Sequence, residues 1–262
     1  LIFLKLGGSL ITDKSRPETA RLDVLVRLAQ EIAEARRRQP GMRLLLGHGS
    51  GSFGHMAAAR FGTRQGARTP QDWLGFAQVW WAAHRLNRHV MDALLAAGLP
   101  AMSFPPSSHA ACEAGALVAL ASEPVVRALD AGLLPVVQGD VAFDRSQGAT
   151  ILSTEQVMGH LADELHPDRV LLAGSEQGIY ARFPPEAPPL AILRGSDLGQ
   201  VAIGRSAEAD VTGGMADKVD WCLRLAARLP KSEIRIFSGL HPGSVRQALS
   251  GAALGTRIAP TG

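Results

Sequence analysis

The nine residues Gly47-His48-Gly49-Ser50-Gly51-Ser52-Phe53-Gly54-His55 concentrate the chemistry of this chain. Their glycines strip a turn of side chains, so its backbone N–H groups can converge on an anion. Met42 to Leu46, just before, reads as a short buried strand. Met56 to Phe61, just after, reads as a helix whose N-terminus adds positive potential. His55 supplies a further donor at the exit. Such a loop reads as a phosphate cradle, with a purely structural glycine turn as the alternative. Gly49-x-Gly51-x-x-Gly54 also matches the dinucleotide fingerprint and the glycine loop of protein kinases. A dinucleotide fold needs a second strand ending in an acidic residue about 20 residues on. The segment there, Gly62 to Gly66 and Thr69-Pro70-Gln71-Asp72, reads as loop. No His-Arg-Asp, Asp-Phe-Gly or Gly-Lys-Ser/Thr segment is present.

Of the 27 basic side chains, four are lysines: Lys5, Lys14, Lys218 and Lys231. Lysine offers a compact, mobile point charge where arginine offers a planar fork. Each alone also fits a surface charge. Lys5 precedes Leu6-Gly7-Gly8-Ser9, Lys14 follows closely, and Lys218 lies just after Thr212-Gly213-Gly214-Met215. Three lysines at glycine turns suit a strongly anionic ligand, and phosphoryl transfer relies on positioning and charge neutralisation. Lys231, between Pro230 and Ser232, is given no role.

These residues need a scaffold, and the chain of 262 residues, 46% of them hydrophobic, can bury a core. Apolar runs alternate with helical patterns, the signature of an α/β protein. Strands are expected at Leu1–Leu6, Leu44–Leu46, Pro100–Phe104, Leu133–Gln138, Arg169–Ala173 and Ile234–Phe237. Helices are expected at Leu22–Arg38, Gly75–Ala97, Val125–Ala131, Thr154–Glu164, Asp217–Leu229 and Ser244–Leu249. Glycine or polar residues repeatedly follow the strands, where open α/β sheets bind ligands.

The formal net charge of +3 is spread over scattered arginines. Arg36-Arg37-Arg38 sits at an expected helix end, where cations suit the dipole. With one tyrosine and no aromatic–basic interleaving, nucleic-acid binding is not expected. Cys112 and Cys222 lack metal-ligand spacing and fit buried thiols of a reducing compartment. No stretch is long and apolar enough to cross a membrane, and Leu1–Leu4 is too short for a leader. A cytoplasmic protein is expected.

The order of Lys5-Leu6-Gly7-Gly8-Ser9, Gly47 to His55, Gly139-Asp140-Val141 and Asp210-Val211-Thr212-Gly213-Gly214-Met215 resembles the amino acid kinase family. The closing Phe-Gly-His resembles its members that phosphorylate isopentenyl monophosphate, and fosfomycin kinases are near relatives. The resemblance runs from Leu1 to about Leu249. It implies α/β architecture, an open αβα sandwich with a mainly parallel central sheet, usually a homodimer. It implies one domain over 1–262, with an acceptor lobe to about 165 and a nucleotide lobe from about 166. ATP with Mg²⁺ would phosphorylate a small-molecule phosphate, without a covalent enzyme intermediate and without a dedicated set of metal ligands.

Carried over by position, Lys5, Leu6, Gly7, Gly8 and Ser9 would cradle ATP phosphates, with Lys5 bridging donor and acceptor. Lys14 would stabilise the transition state. Gly51 would face ATP; Ser50, His55, Ser153 and Thr154 would meet the acceptor, with His55 on its phosphate. Ser175, Tyr180 to Pro185, Gly214 and Lys218 would hold the nucleotide. The chain departs from the family at Gly174-Ser175-Glu176-Gln177-Gly178, where Thr-Asp-Val-Asp-Gly is usual, and at Ser50 and Thr154, where glycine is common. Asp140, Asp144 and Asp210 are acidic candidates near the phosphates, with Asp140 favoured for orienting a lysine or Mg²⁺. Phe76, Val79, Trp80 and Ala83, with Phe53, would wall the acceptor's apolar tail. Two other outcomes remain open: a phosphonate or carboxylate acceptor on the same fold, and a nucleotide sensor without catalysis.

Overall fold

The computed structural model describes residues 1–181, 187–200 and 214–260. In chain order these begin with β1 (Ile2–Leu6), α1 (Gly8–Ile11), α2 (Leu22–Arg38), β2 (Leu44–His48), α3 (Gly51–Phe61), α4 (Pro70–Ala96) and β3 (Ala101–Ser103). Next come β4 (Ala110–Glu113), β5 (Ala116–Leu120), α5 (Glu123–Asp130), β6 (Leu134–Gln138), β7 (Asp140–Asp144), β8 (Gly148–Leu152) and α6 (Thr154–Leu165). The chain continues through β9 (Arg169–Gly174), β10 (Ile192–Leu193), α7 (Gly214–Arg228), β11 (Glu233–Ser238), α8 (Ser244–Leu249) and β12 (Thr256–Ile258).

Eight strands form one sheet in the order β10-β12-β11-β9-β1-β2-β6-β3. From β11 to β3 every pairing is parallel; β12 runs antiparallel to β11. Its central strands β9, β1, β2 and β6 are buried on both faces and read as near-continuous apolar runs, as parallel strands do. Alternate side chains feed two cores. Phe3, Leu45, Val137 and Val170 pack with α5, α6 and α7, whereas Leu4, Leu46, Val136 and Leu171 pack with α2, α4 and α8. The expected αβα sandwich with a mainly parallel sheet is therefore what forms.

β1 lies between β2 and β9, with Lys5 beside Gly47 on one side and Leu172 on the other. The chain leaves β1 toward β2 and later returns to its other flank at β9. Loops after these strands diverge there, and open sheets bind ligands in that crevice.

Several boundaries differ from expectation. α4 starts at Pro70, because Thr69 and Asp72 form a reciprocal capping box: Asp72 N–H donates to Thr69 Oγ1 at 3.2 Å and Thr69 N–H to Asp72 Oδ2 at 2.8 Å. The segment expected to be loop is thus a helix start. α3 begins inside the glycine loop at Gly51, five residues before Met56, because buried packing of Phe53 and Gly54 overrides the low helix propensity of glycine. A second sheet, β5-β4-β7-β8, was not foreseen. Asp144 ties its two hairpins together, accepting from the N–H groups of Ala114, Gly115, Ser146 and Gln147 and from Ser146 Oγ, at 2.8–3.2 Å. Burial opposes ionisation of Asp144, yet these donors hold its pKa at about 2. Asp144 is a turn anchor.

Candidate active site

The glycine loop is built by backbone-to-backbone contact between the ends of β1 and β2. A Cβ on Gly8 would stand 2.7 Å from both N and Cα of Gly51, and one on Gly49 would stand 2.9 Å from the Gly8 nitrogen. Gly51 adopts φ +51, and a Cβ there would lie 2.2 Å from Thr12 Oγ1. Glycine is required at Gly51 on both counts. Thr12 locks the junction: its Oγ1–H donates to Gly8 O at 2.7 Å while Oγ1 accepts from Ser52 N–H at 3.0 Å.

His48 braces this loop from beneath. It is fully buried, with Nδ1 3.2 Å from the Gly49 carbonyl and Nε2 3.1 Å from Asn87 Oδ1. Burial holds its pKa below the ordinary histidine value, against the pull of both oxygen partners. Thr154 Oγ1 donates to the His48 carbonyl at 2.7 Å. Gly47 is needed for the same junction, since a Cβ there would lie 2.4 Å from Met158 Sδ. α6 therefore sits directly on β2, and its first turn opens toward the loop. Ser153 caps it: Gln156 N–H donates to Ser153 Oγ at 3.1 Å, and Gln156 Oε1 accepts from Ser153 N–H at 2.9 Å.

The first turn of α6 also carries a residue that sequence reasoning missed. Glu155 Oε1 lies 2.8 Å from Lys5 Nζ, and both side chains are largely buried. Burial pushes the Glu155 carboxyl pKa up, but the charge of Lys5, its hydrogen bond and the charge of Lys218 outweigh that and hold it below the usual value. Glu155 thus lies in the fields of two lysines 213 positions apart in sequence. Lys218 Nζ is 3.8 Å from where a Cβ on Gly174 would stand, at the end of β9. One signal could have found Glu155: an acidic residue in a capped first turn after a strand end.

A cavity of about 820 Å³ joins these parts. Lys5, Gly7, Gly8, Ser9, Lys14, Ser50, His55, Ser153, Thr154 and Lys218 all line it. Leu6 is buried in the core on the α2 side and Gly51 is buried against Thr12, so each can offer only backbone. Ser175 follows β9, where its carbonyl accepts from Ser238 Oγ at 3.1 Å. Tyr180 is half-buried, and Gly214 opens α7. Residues 182–185 of the Tyr180–Pro185 segment and Asp210 to Gly213 lie outside the described residues.

Asp140 faces a different partner from the one expected. It lines the cavity but accepts from Val141 N–H at 2.9 Å and Ser107 N–H at 3.3 Å, with His84 Nε2 at 3.2 Å. Glu155 takes the lysine-pairing place. The tail wall is also redrawn. Val79 and Ala83 of α4 line the cavity with Ala58 and Ile151. Phe76 instead packs on Trp73 and Phe143, with ring centroids 5.4 and 5.2 Å away. Trp80 stacks on His84 at 4.3 Å, and Phe53 is buried near Arg85 and His89.

Chemically, this is a cavity with a cationic, glycine-walled end and an apolar end. Residues 1–238 match the amino acid kinase family. The chain belongs to that family. Among curated members, it is 37% identical to the isopentenyl phosphate kinase of Methanothermobacter thermautotrophicus, with 98% of both chains covered. The isopentenyl phosphate kinase of Haloferax volcanii is 36% identical over 94% of this chain and 98% of the relative. A solved isopentenyl phosphate kinase structure superposes with a TM-score of 0.83 at 34% identity, covering 98% of this chain and 99% of that one. A substrate complex of an isopentenyl phosphate kinase superposes with a TM-score of 0.78 at 26% identity, covering 98% and 100%. An N-acetylglutamate synthase from Neisseria gonorrhoeae shares the family fold at 18% identity, with a TM-score of 0.70, covering 98% of this chain and 59% of that one.

Proposed function

We propose that this amino acid kinase-family chain transfers the γ-phosphoryl group of ATP to the phosphate of isopentenyl phosphate, giving the isoprenoid precursor isopentenyl diphosphate and ADP. The observation that carries the reading is the single cavity whose lysine and glycine end is continuous with the apolar wall of Ala58, Val79, Ala83 and Ile151. A phosphomonoester with a short hydrocarbon tail matches both ends.

An acceptor phosphate is already a nucleophile near neutral pH, so the barrier lies in bringing two anions together. One acceptor oxygen bonds to the γ-phosphorus as the bond to the β,γ-bridging oxygen breaks, and ADP leaves. Lys5, held by Glu155, sits where donor and acceptor meet. Lys14 neutralises the transferring group, and Lys218 takes the nucleotide side with the Lys5–Ser9 backbone, Gly51, Ser175, Tyr180 and Gly214. His55, the Ser50 backbone and the α6 N-terminus at Ser153–Thr154 take the acceptor phosphate.

Mg²⁺ accompanies the nucleotide in this reading. Phosphate oxygens and water would supply most of its ligands. Residues to about 165 would form the acceptor lobe and those beyond it the nucleotide lobe. A homodimer in the cytoplasm completes the proposal. Exposed Trp73 and Phe143, with ring centroids 6.0 Å apart, support a protein-covered face, which light scattering can test. Among the described residues, no helix is long and apolar enough to cross a membrane.

The test is ADP release with ATP and Mg²⁺ across isopentenyl phosphate, dimethylallyl phosphate, fosfomycin and amino acids. Turnover with the first two supports the assignment. Turnover confined to fosfomycin or an amino acid replaces the acceptor, and ATP binding without any turnover replaces the enzyme with a sensor.

A further inference from the structure

Lys14 sits on an excursion of the chain that the phosphate loop does not itself contain. Its neck is closed by Asp13 N–H donating to Thr19 O and Arg21 N–H donating to Ile11 O, each at 2.9 Å, and by an antiparallel bridge between Thr12 and Ala20. Beyond the neck, backbone contact with the phosphate loop is long. Glu18 N–H donates to Ser52 O at 3.4 Å and Thr19 N–H to Ser52 Oγ at 3.3 Å. Bonds at this length are weak. A side-chain tie adds to them: the partly exposed Glu18 carboxylate pairs with the Arg85 guanidinium of α4.

Both partners show signs of being held for that contact. Glu18 adopts φ +48, in the left-handed region, at a cost on the order of 1 kcal/mol that surrounding contacts must offset. Arg85 lies with its Cζ 6.0 Å from the ring centroid of buried Phe53, and its Nε is buried without a hydrogen-bond partner. The guanidinium is thus wedged against the residue after Ser52, with its exposed edge turned to the Lys14 excursion. α4 also supplies Val79 and Ala83 to the acceptor end of the cavity, which neither Glu18 nor Arg85 lines.

We propose that the Glu18–Arg85 ion pair is a strap that positions Lys14, fixing the excursion to the helix that walls the acceptor. The proposal rests on the kinase reading only for the role of Lys14; the strap itself is a statement about where residues 13–20 are held. Glu18 and Arg85 act through Lys14 and are positioning residues. A lysine displaced by about 1 Å from a transferring phosphoryl group can lose up to about a hundredfold in rate, so loss of one partner is expected to cost roughly tenfold.

Glu18→Gln and Arg85→Met are compared with the parent, each also in a Lys14→Met background. Three readouts are used: steady-state kinetics, thermal melting, and amide hydrogen exchange of residues 13–20. Each single change is expected to lower kcat about tenfold while the KM for ATP stays within twofold. Neither is expected to lower it further once Lys14 is Met. Exchange of the excursion is expected to speed up about two- to fivefold in every case, with exchange in β1 and β2 unchanged. Unaltered exchange at 13–20 overturns the strap, as does an equal kcat loss with and without Lys14. Faster exchange together with a Lys14→Met enzyme of undiminished kcat keeps the strap and removes Lys14 from the chemistry, which separates failure of the two readings.

Discussion

Glu155→Gln keeps the shape of a side chain in the first turn of α6 and removes its charge. The consequence follows from where that charge lies. At 2.8 Å from Lys5 Nζ, the gross attraction is about 6 kcal/mol at an effective dielectric constant of 20. Desolvation of two buried ions offsets much of it, but removing one partner alone leaves the other uncompensated, typically at a cost of 3–5 kcal/mol. Glu155 is about a fifth exposed, so about 3 kcal/mol is expected here in the absence of nucleotide. ATP supplies replacement anionic charge to Lys5 and Lys218, so part of the loss should return when nucleotide is added. If Lys5 bridges the two phosphates as proposed, catalysis should not return with it, because a lysine drawn wholly to the nucleotide no longer does so. The expected kinetic pattern is a fall in kcat of about a hundredfold with the KM for ATP unchanged or lower. The assays are coupled ADP release with isopentenyl phosphate and thermal melting with and without ATP. A kcat within twofold of the parent would refute the argument, and so would a melting loss that ATP leaves untouched.

Three further outcomes follow from single contacts. Gly8→Ala places a Cβ 2.7 Å from the Gly51 backbone, which has no flexible end to move aside; the glycine loops should separate, with kcat/KM down by about two orders of magnitude in the same assay. Asp144 has a folded pKa of about 2, below its ordinary 3.8, so its stabilising effect is complete above pH 3.8 and is lost as pH falls toward 2. Asp144→Asn should cost about 2 kcal/mol at pH 7 and flatten that acid limb in pH-dependent urea unfolding. His55→Ala should raise the KM for isopentenyl phosphate at least tenfold while leaving the KM for ATP within twofold, as ADP-release kinetics would report.

What the sequence disclosed depended on how local the cause was. The strand before Gly47, helix α2 at Leu22–Arg38 and helix α8 at Ser244–Leu249 are set by apolar period and by breakers within a few residues. The second sheet is not. β5 alternates poorly and is largely exposed, while β4 meets β7 at the single parallel pairing of Cys112 with Asp144. Its register is imposed by one carboxylate reaching donors 29 to 30 positions upstream, a contact that no period in the sequence announces. The start of α4 is local as well: Thr69-Pro70-Gln71-Asp72, expected as loop, is a capping box with proline in the first turn.

The site divides along the same line. Glycines and lysines stood out because their types are unusual for their positions, and the fold gathers Lys5, Lys14, Lys218 and His55 around one cavity. Glu155 did not stand out. A carboxylate in the first turn of a capped helix is favourable for the helix alone, through its dipole, so its presence there needs no further reason. Only the parallel pairing of β1 with β2, and the close seating of α6 on Gly47, bring that carboxylate to Lys5. The same residue then serves two fields at once. It answers the positive end of α6, and it pairs with Lys5 in reach of the charge of Lys218. A carboxylate preferred by its own helix is already ionised and oriented before any nucleotide arrives. Cations held by such a group are placed before the substrates' own charges can move them, and that pre-placement is what a reaction between two anions requires.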